Sequence, residues 1–145
     1  MRVAVIGVGN VLMGDEGVGI AVVKELRRMG LKDVYDCGTM GLDVVNVMLD
    51  YDKVIVVDAV RGFGRPGEVF KLKLEDLNFE GTLVSLHDIN LINALKFASN
   101  VFDLPEIVIV GIEIERIGEG MELSKEVRKA IPKAVELVLE ELENV

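Results

Sequence analysis

The sequence is poor in several residue types, and each scarcity excludes a class of protein. Only one of its 145 residues is cysteine, so an internal disulfide cannot form and a reducing compartment is expected. Lysine and arginine number 16 against 25 acidic residues, and the net charge of −9 argues against nucleic acid or an anionic membrane as the main partner. No apolar run approaches the ~20 residues of a membrane span. The first strand begins too early for a signal peptide, so we expect a cytoplasmic protein.

Apolar residues make up 50% of the chain, which is enough for one domain, residues 1–145, with a sizeable core. Their spacing predicts strands at 2–6, 32–36, 53–60, 68–74 and 106–114. Helical spacing predicts helices at 17–29, 42–49, 87–99 and from Ser124 to the end. This order predicts a three-layer α/β fold: an open, mainly parallel, five-stranded mixed sheet with helices on both faces. The 68–74 strand follows its predecessor too closely for a crossover, so it should be an antiparallel edge.

Details of the helices are also predicted. Asp88 should cap the helix at 87–99, with Ile89, Ile92, Leu95 and Phe97 facing inward. Ser124 should cap the final helix, and Pro132 should kink it.

Polar side chains follow several of the predicted parallel strands. They are Asn10, Asp15 and Glu16 after the first strand, Asp36 and Asp58 at the ends of the second and third, and His87 at the start of a helix. Ligands of open parallel sheets bind beyond the carboxyl ends of the strands, so these residues are the candidates for a site.

Gathering carboxylates at one edge is costly, because two unit charges about 4 Å apart repel by roughly 4 kcal/mol at a dielectric constant near 20. A divalent cation would relieve the repulsion. Glu16, Asp58 and the sole histidine, His87, form a mixed oxygen and nitrogen set suited to nickel or zinc. Three protein ligands would leave open positions, as in a site that acts on something.

Each residue also has a structural interpretation. Asp15 and Glu16 would stabilise a helix N-terminus through its macrodipole, and Asp58 could cap a loop. A lone histidine at a helix start is often structural. Cys37 paired with His87 would be a nucleophilic dyad, but one cysteine and one histidine specify little.

The opening stretch "VIGVGNVLMGDEGVGI", residues 5–20, resembles a nucleotide-binding loop only in part. Gly7 and Gly9 fit the dinucleotide fingerprint, but Leu12 takes the place of its third glycine. No Walker lysine is present, and the acids that follow would repel a pyrophosphate from the helix N-terminus.

Four stretches together resemble the hydrogenase maturation endopeptidases, which process the large subunit of [NiFe]-hydrogenases. They are "GVGNVLMGDEGVG" (7–19), "DCGTMGLDVV" (36–45), "VVDAVRGFGRPGEV" (56–69) and "SLHDINLINAL" (85–95). The resemblance spans nearly the whole chain and implies a phosphorylase/hydrolase-like fold. It also implies removal of a C-terminal extension from the large-subunit precursor after nickel insertion. Nothing in the sequence demands more than a monomer, so we expect a monomer. Cys37 departs from the family pattern, since relatives often carry glycine there.

The resemblance implies roles for particular residues. Glu16, Asp58 and His87 would bind nickel that the substrate supplies, although zinc or cadmium could occupy the same site. Asp36 or Asp58 would be the catalytic base, whether the enzyme is aspartic-type or nickel-assisted. The substrate backbone would bind at Gly7, Gly9, Asn10, Gly38 and Thr39.

Two other functions stay open at this point. A Rossmann-like regulatory module would bind nucleotides through the glycine pair. A nickel metallochaperone would hold the metal without cutting a substrate.

Overall fold

The computed structural model describes residues 1–78, 86–120 and 122–144, without the side chains of 77, 78, 86–90 and 92. The five strands are β1 (Val3–Val8), β2 (Val34–Gly38), β3 (Lys53–Val60), β4 (Val69–Leu72) and β5 (Glu106–Glu113). The four α-helices are α1 (Val18–Arg28), α2 (Gly41–Met48), α3 (Leu86–Ser99) and α4 (Lys125–Glu143). Two 3₁₀ turns cover Gly14–Gly17 and Leu74–Asn78.

The strands form one mixed sheet in the order β2-β1-β3-β5-β4. β1 pairs in parallel with both β2 and β3, and β3 pairs in parallel with β5. β4 is the antiparallel edge, with Val69 opposite Ile112. The predicted mainly parallel five-stranded sheet with an antiparallel edge is therefore confirmed.

Helices cover both faces of the sheet. Alternate residues of β3 enter different clusters: Ile55 and Val57 pack with α1 and α4, whereas Val54 and Val56 pack with α2 and α3. All eight residues of β3 are buried, which explains why this strand is apolar except for Lys53 and Asp58 rather than alternating.

Three helical details differ from the sequence prediction or extend it. Phe97 is 67% exposed, so its predicted inward position is wrong, whereas Leu95 is buried as predicted. Ser124 occupies the N-cap position of α4, but its side chain makes no capping hydrogen bond. Helix α4 continues through Pro132 to Glu143, and the kink expected at Pro132 stays a prediction. The predictions for Asp88, Ile89 and Ile92 concern side chains outside those described.

Within the described residues, no helix is both long enough and apolar enough to cross a membrane.

Candidate functional site

The topology defines a crevice at the carboxyl ends of β1 and β3. β1 lies between β2 and β3, and the chain leaves β1 through α1 on one face but leaves β2 through α2 on the other. Such a change of face opens a crevice above the strand ends, where open α/β sheets bind ligands. By this rule, the β1–α1 loop and the end of β3 lie where the ligand crevice is expected.

Gly7, near the end of β1, and Gly9, just after it, have a packing reason within the fold. A Cβ on Gly7 would lie 2.6 Å from the Val23 side chain, and one on Gly9 would lie 2.1 Å from the Glu16 carbonyl oxygen. Gly9 also has a φ of 142°, which L-residues rarely adopt. Glycine therefore lets α1 and its preceding turn lie directly on β1, and the substrate-binding role of both residues stays a prediction.

Asn10 shapes the same loop. Its side-chain oxygen accepts a hydrogen bond from the Leu12 N–H at 3.0 Å, and its carbonyl accepts one from the Met13 N–H at 3.1 Å. These contacts form an Asx-type turn. In the predicted contact with the substrate, the side-chain N–H₂ group of Asn10 would donate a hydrogen bond to the substrate backbone.

Asp15 is turned away from the helix that follows it. It is fully buried, and its carboxylate accepts hydrogen bonds from the backbone N–H groups of Glu115, Arg116 and Ser124 and from the Ser124 hydroxyl. Burial raises the pKa of Asp15, but these hydrogen bonds outweigh it and hold the pKa below its usual value. Asp15 is thus an ionised structural anchor, held by these four hydrogen bonds.

Glu16 and Asp58 lie at the crevice on different segments. Glu16 is 4% exposed in the 3₁₀ turn, and Asp58 is 1% exposed in β3. The 3₁₀ turn contacts β3, which brings both acids to one edge of the sheet. Oδ1 of Asp58 accepts a hydrogen bond from the Ala59 N–H at 2.8 Å. Strand β3 continues to Val60, so Asp58 lies two residues before its end rather than at the end.

Asp36 lies across β1 from Asp58. Gly7 pairs with both Asp36 and Val57, so about two strand spacings, ~10 Å, separate the backbones of β2 and β3 here. Asp36 shares the sheet face of Val57, whereas Asp58, the next residue along β3, points to the other face. Asp36 is exposed and accepts a hydrogen bond from the Gly38 N–H at 3.1 Å. The two aspartates therefore do not form a dyad that shares one proton.

The turn after β2 borders the crevice on the α3 side. Gly38 has a φ of 55°, and its carbonyl accepts a hydrogen bond from the Gly9 N–H at 2.9 Å, which joins this turn to the β1–α1 loop. Gly38, Thr39 and Val8 line a small cavity with Leu91 of α3. The predicted substrate-binding residues of both loops are thus neighbours at this edge.

Cys37 lies beneath the same turn as a buried thiol. Burial raises its pKa to about 11, and the negative charges of Asp43 and Asp36 contribute to the increase. A thiol with this pKa is almost entirely protonated at neutral pH, so the environment does not activate Cys37 as a nucleophile.

His87 lies in the first turn of α3, and its side chain is outside those described. The backbone places it one helical turn before Leu91, which borders the cavity with Val8 at the end of β1. Among the side chains that the structure describes, no three acids, histidines or cysteines gather as metal ligands. The predicted set of Glu16, Asp58 and His87 includes one undescribed side chain, so it stays a prediction. Glu16 and Asp58 supply hard oxygen donors, and imidazole would suit nickel or zinc.

Sequence reasoning missed the role of Glu113. This residue is 3% exposed, and its carboxylate accepts hydrogen bonds from the backbone N–H groups of Gly62, Phe63 and Gly64 at 2.9–3.0 Å. It therefore fixes the glycine-rich loop after β3. The signal was an acid inside the apolar strand "EIVIVGIEI", where a buried charge needs dedicated partners.

Comparisons with known proteins agree on one family. A family model described as hydrogenase maturation protease matches residues 20–141. A putative hydrogenase maturation protease of Methanocaldococcus jannaschii is 34% identical over 151 residues, covering 97% of this chain and 96% of the relative. The maturation protease HybD of Thermococcus kodakarensis superimposes with a TM-score of 0.84 at 30% identity, covering 97% of this chain and 98% of that chain. The hydrogenase maturating endopeptidase HybD of Escherichia coli superimposes with a TM-score of 0.86 at 27% identity, covering 99% and 93%.

Proposed function

This chain belongs to the hydrogenase maturation protease family, which consists of endopeptidases, and we propose that it removes the C-terminal extension of a [NiFe]-hydrogenase large-subunit precursor after nickel insertion. In this proposal the nickel belongs to the substrate. Glu16, Asp58 and His87 complete its coordination shell, so that only a metallated tail binds in the reactive position.

One observation carries the proposal: two buried carboxylates from separate segments lie at the crevice of the sheet. Glu16 and Asp58 are 4% and 1% exposed. Carboxylate oxygens bind divalent cations, so a nickel ion held by the thiolates of the substrate would meet two such donors at this edge of the sheet.

The placement of the two aspartates favours nickel-assisted hydrolysis over an aspartic-protease dyad. Asp36 and Asp58 face opposite sides of the sheet, whereas dyad carboxylates must be close enough to share a proton. Nickel would polarise the scissile carbonyl as a Lewis acid while water attacks it. Asp36 or Asp58 would accept the proton of that water as general base and return it to the leaving amine nitrogen as the C–N bond breaks.

The test compares nickel-loaded and nickel-free precursor side by side, with mass spectrometry of the large-subunit tail. Wild-type protein should remove the tail only from the nickel-loaded form. Glu16→Gln, Asp58→Asn and His87→Gln should each fold normally, as judged by circular dichroism, and leave the tail uncut. Asp103→Asn, an exposed aspartate after α3, is the matched control and should cleave normally.

Normal processing by all three variants would contradict the proposal. Cleavage of nickel-free precursor at the wild-type rate would remove the role of the metal. Tight nickel binding by the isolated protein without any cleavage would indicate a metallochaperone instead.

A further inference from the structure

Asp15 connects two segments that are far apart in the sequence. Among the described residues, the four hydrogen-bond donors to its carboxylate come from the β5–α4 connection, residues 114–124, in which Met121 is not described. Ser124 provides two of them, its N–H to Oδ1 at 2.7 Å and its hydroxyl to Oδ2 at 2.8 Å. The N–H groups of Glu115 and Arg116 complete the set at 3.1 and 3.0 Å.

Backbone pairing joins the same two segments. The Gly14 N–H donates to the Gly120 carbonyl at 2.8 Å, and the Gly120 N–H donates to the Leu12 carbonyl at 2.9 Å. Met13 and Gly120 consequently form an isolated parallel bridge. The turn that carries Glu16 is therefore fastened to the β5–α4 connection by side-chain and backbone contacts together.

The backbone of Glu16 is held on both sides. On one side its carbonyl lies against Gly9, where even a methyl group would not fit. On the other side its neighbour Asp15 is anchored in the β5–α4 connection. Its own N–H donates to the Met13 carbonyl at 3.3 Å within the 3₁₀ turn.

We propose that Asp15 is a positioning residue, which uses Ser124 and the β5–α4 connection to fix the orientation of Glu16 toward the substrate. This inference rests on the proposed function, because Glu16 acts there as a ligand to the nickel of the precursor. A displacement of about 1 Å in a group that orients a substrate lowers rates by about a hundredfold. Loosening the Asp15 anchor therefore lowers cleavage without touching the substrate.

Three substitutions test the contact between Asp15 and the β5–α4 connection. Asp15→Asn keeps the shape of the side chain but replaces one acceptor oxygen by an N–H₂ donor. Because that donor faces buried N–H or O–H donors, the anchor is weakened, and we expect cleavage to fall about a hundredfold. Ser124→Ala removes only the hydroxyl bond, and we expect a loss of about tenfold. Ser124→Thr keeps the hydroxyl group and should therefore retain most of the wild-type cleavage activity. Ser99→Ala is the matched control, since it removes the hydroxyl bond to the Lys96 carbonyl at the far end of α3.

Hydrogen exchange measured by mass spectrometry separates positioning from a general loss of stability. In Asp15→Asn, peptides covering residues 10–17 and 115–124 should exchange faster, while peptides of β3 and β5 keep their wild-type protection. The effect on cleavage should lie mainly in kcat for nickel-loaded precursor. If Asp15→Asn does not fold, Ser124→Ala and Ser124→Thr decide the proposal by the same measurements.

Two results would overturn the inference. One is wild-type cleavage by Asp15→Asn or, if that variant does not fold, by Ser124→Ala. The other is lost cleavage with unchanged exchange in residues 10–17, which would mean that Asp15 acts directly. If wild-type protein fails to cut the precursor, the proposed function fails, and exchange in residues 10–17 alone then decides whether Asp15 anchors this turn.

Discussion

Gly19 in α1 lies directly against the carbonyl group of Val57 in β3. A Cβ on Gly19 would be 2.4 Å from that oxygen and 2.5 Å from the carbonyl oxygen of Val8. Helix α1 therefore begins in backbone contact with β1 and β3 at once. This contact determines how far the preceding 3₁₀ turn lies from the edge of the sheet. It therefore also positions Glu16, which belongs to that turn.

Gly19→Ala should accordingly destabilise the protein, because the added methyl group meets backbone oxygens that cannot rotate away. We expect the free energy of unfolding to fall by about 2 kcal/mol or more, as for other overpacked cores. Denaturant unfolding followed by circular dichroism measures the change. Gly118→Ala is the control, since among the described residues no atom beyond its two chain neighbours lies within 4 Å of a Cβ built there. Equal stability of the two variants would contradict the close contact.

The sequence predicts the architecture well because the pattern that defines it is local. The apolar run of β3, 53–60, matches the observed strand residue for residue. The short connection before β4 predicts its antiparallel pairing, which the structure confirms. Phe97 shows the limit of such patterns, because an apolar residue at helical spacing faces the core only if a neighbouring element covers it.

The candidate site was harder to predict, because the role of each buried acid depends on hydrogen-bond donors that lie far from it in the sequence. Asp15 and Glu16 are adjacent in sequence, yet the carboxylate of Asp15 binds a connection about a hundred residues further along. No local rule separates an anchor from a candidate ligand in such a pair. The same holds for Glu113, whose three donors lie some fifty residues earlier.

Glu113 should control the order of the loop at 61–67. Glu113→Gln replaces one acceptor oxygen by an N–H₂ group that faces backbone N–H donors, so we expect a loss of about 1–3 kcal/mol in stability. Hydrogen exchange should accelerate in the peptide covering this loop. Exposed Glu119→Gln is the control and should change neither quantity. Unchanged protection of the loop in Glu113→Gln would show that its backbone contacts suffice.

Cys37 should react slowly in the folded protein. With a pKa of about 11, roughly one thiol in a thousand is ionised at pH 8, and the side chain is 8% exposed. Iodoacetamide should therefore label the folded protein at least about a hundredfold more slowly than the same protein unfolded in urea. Cys37→Ser should retain precursor cleavage. Equal labelling rates in both states, or loss of cleavage in this variant, would return Cys37 to the list of catalytic candidates.

Glu141 should make stability depend on acid pH. Its carboxylate accepts a hydrogen bond from Lys71, and Lys53 donates to its other oxygen at 3.1 Å. The bond from Lys71 lowers the pKa of Glu141 most; burial opposes the decrease, and Lys53 adds to it. Because the folded-state pKa lies below the unfolded value of about 4.5, the stabilisation is present above that value and is lost as the pH falls through the folded pKa.

Glu141→Gln should therefore lower the free energy of unfolding at pH 7 by about 2 kcal/mol or more, since buried Lys53 loses its nearest carboxylate. The difference from wild type should shrink as the pH falls below the unfolded value of about 4.5 and through the lower folded-state pKa, where the wild-type carboxylate also becomes neutral. Urea unfolding between pH 3 and 7 measures both values. Exposed Glu143→Gln is the control and should follow the wild-type curve. A difference that stays constant over this range would mean that the Glu141 side chain stabilises the fold by packing rather than by charge.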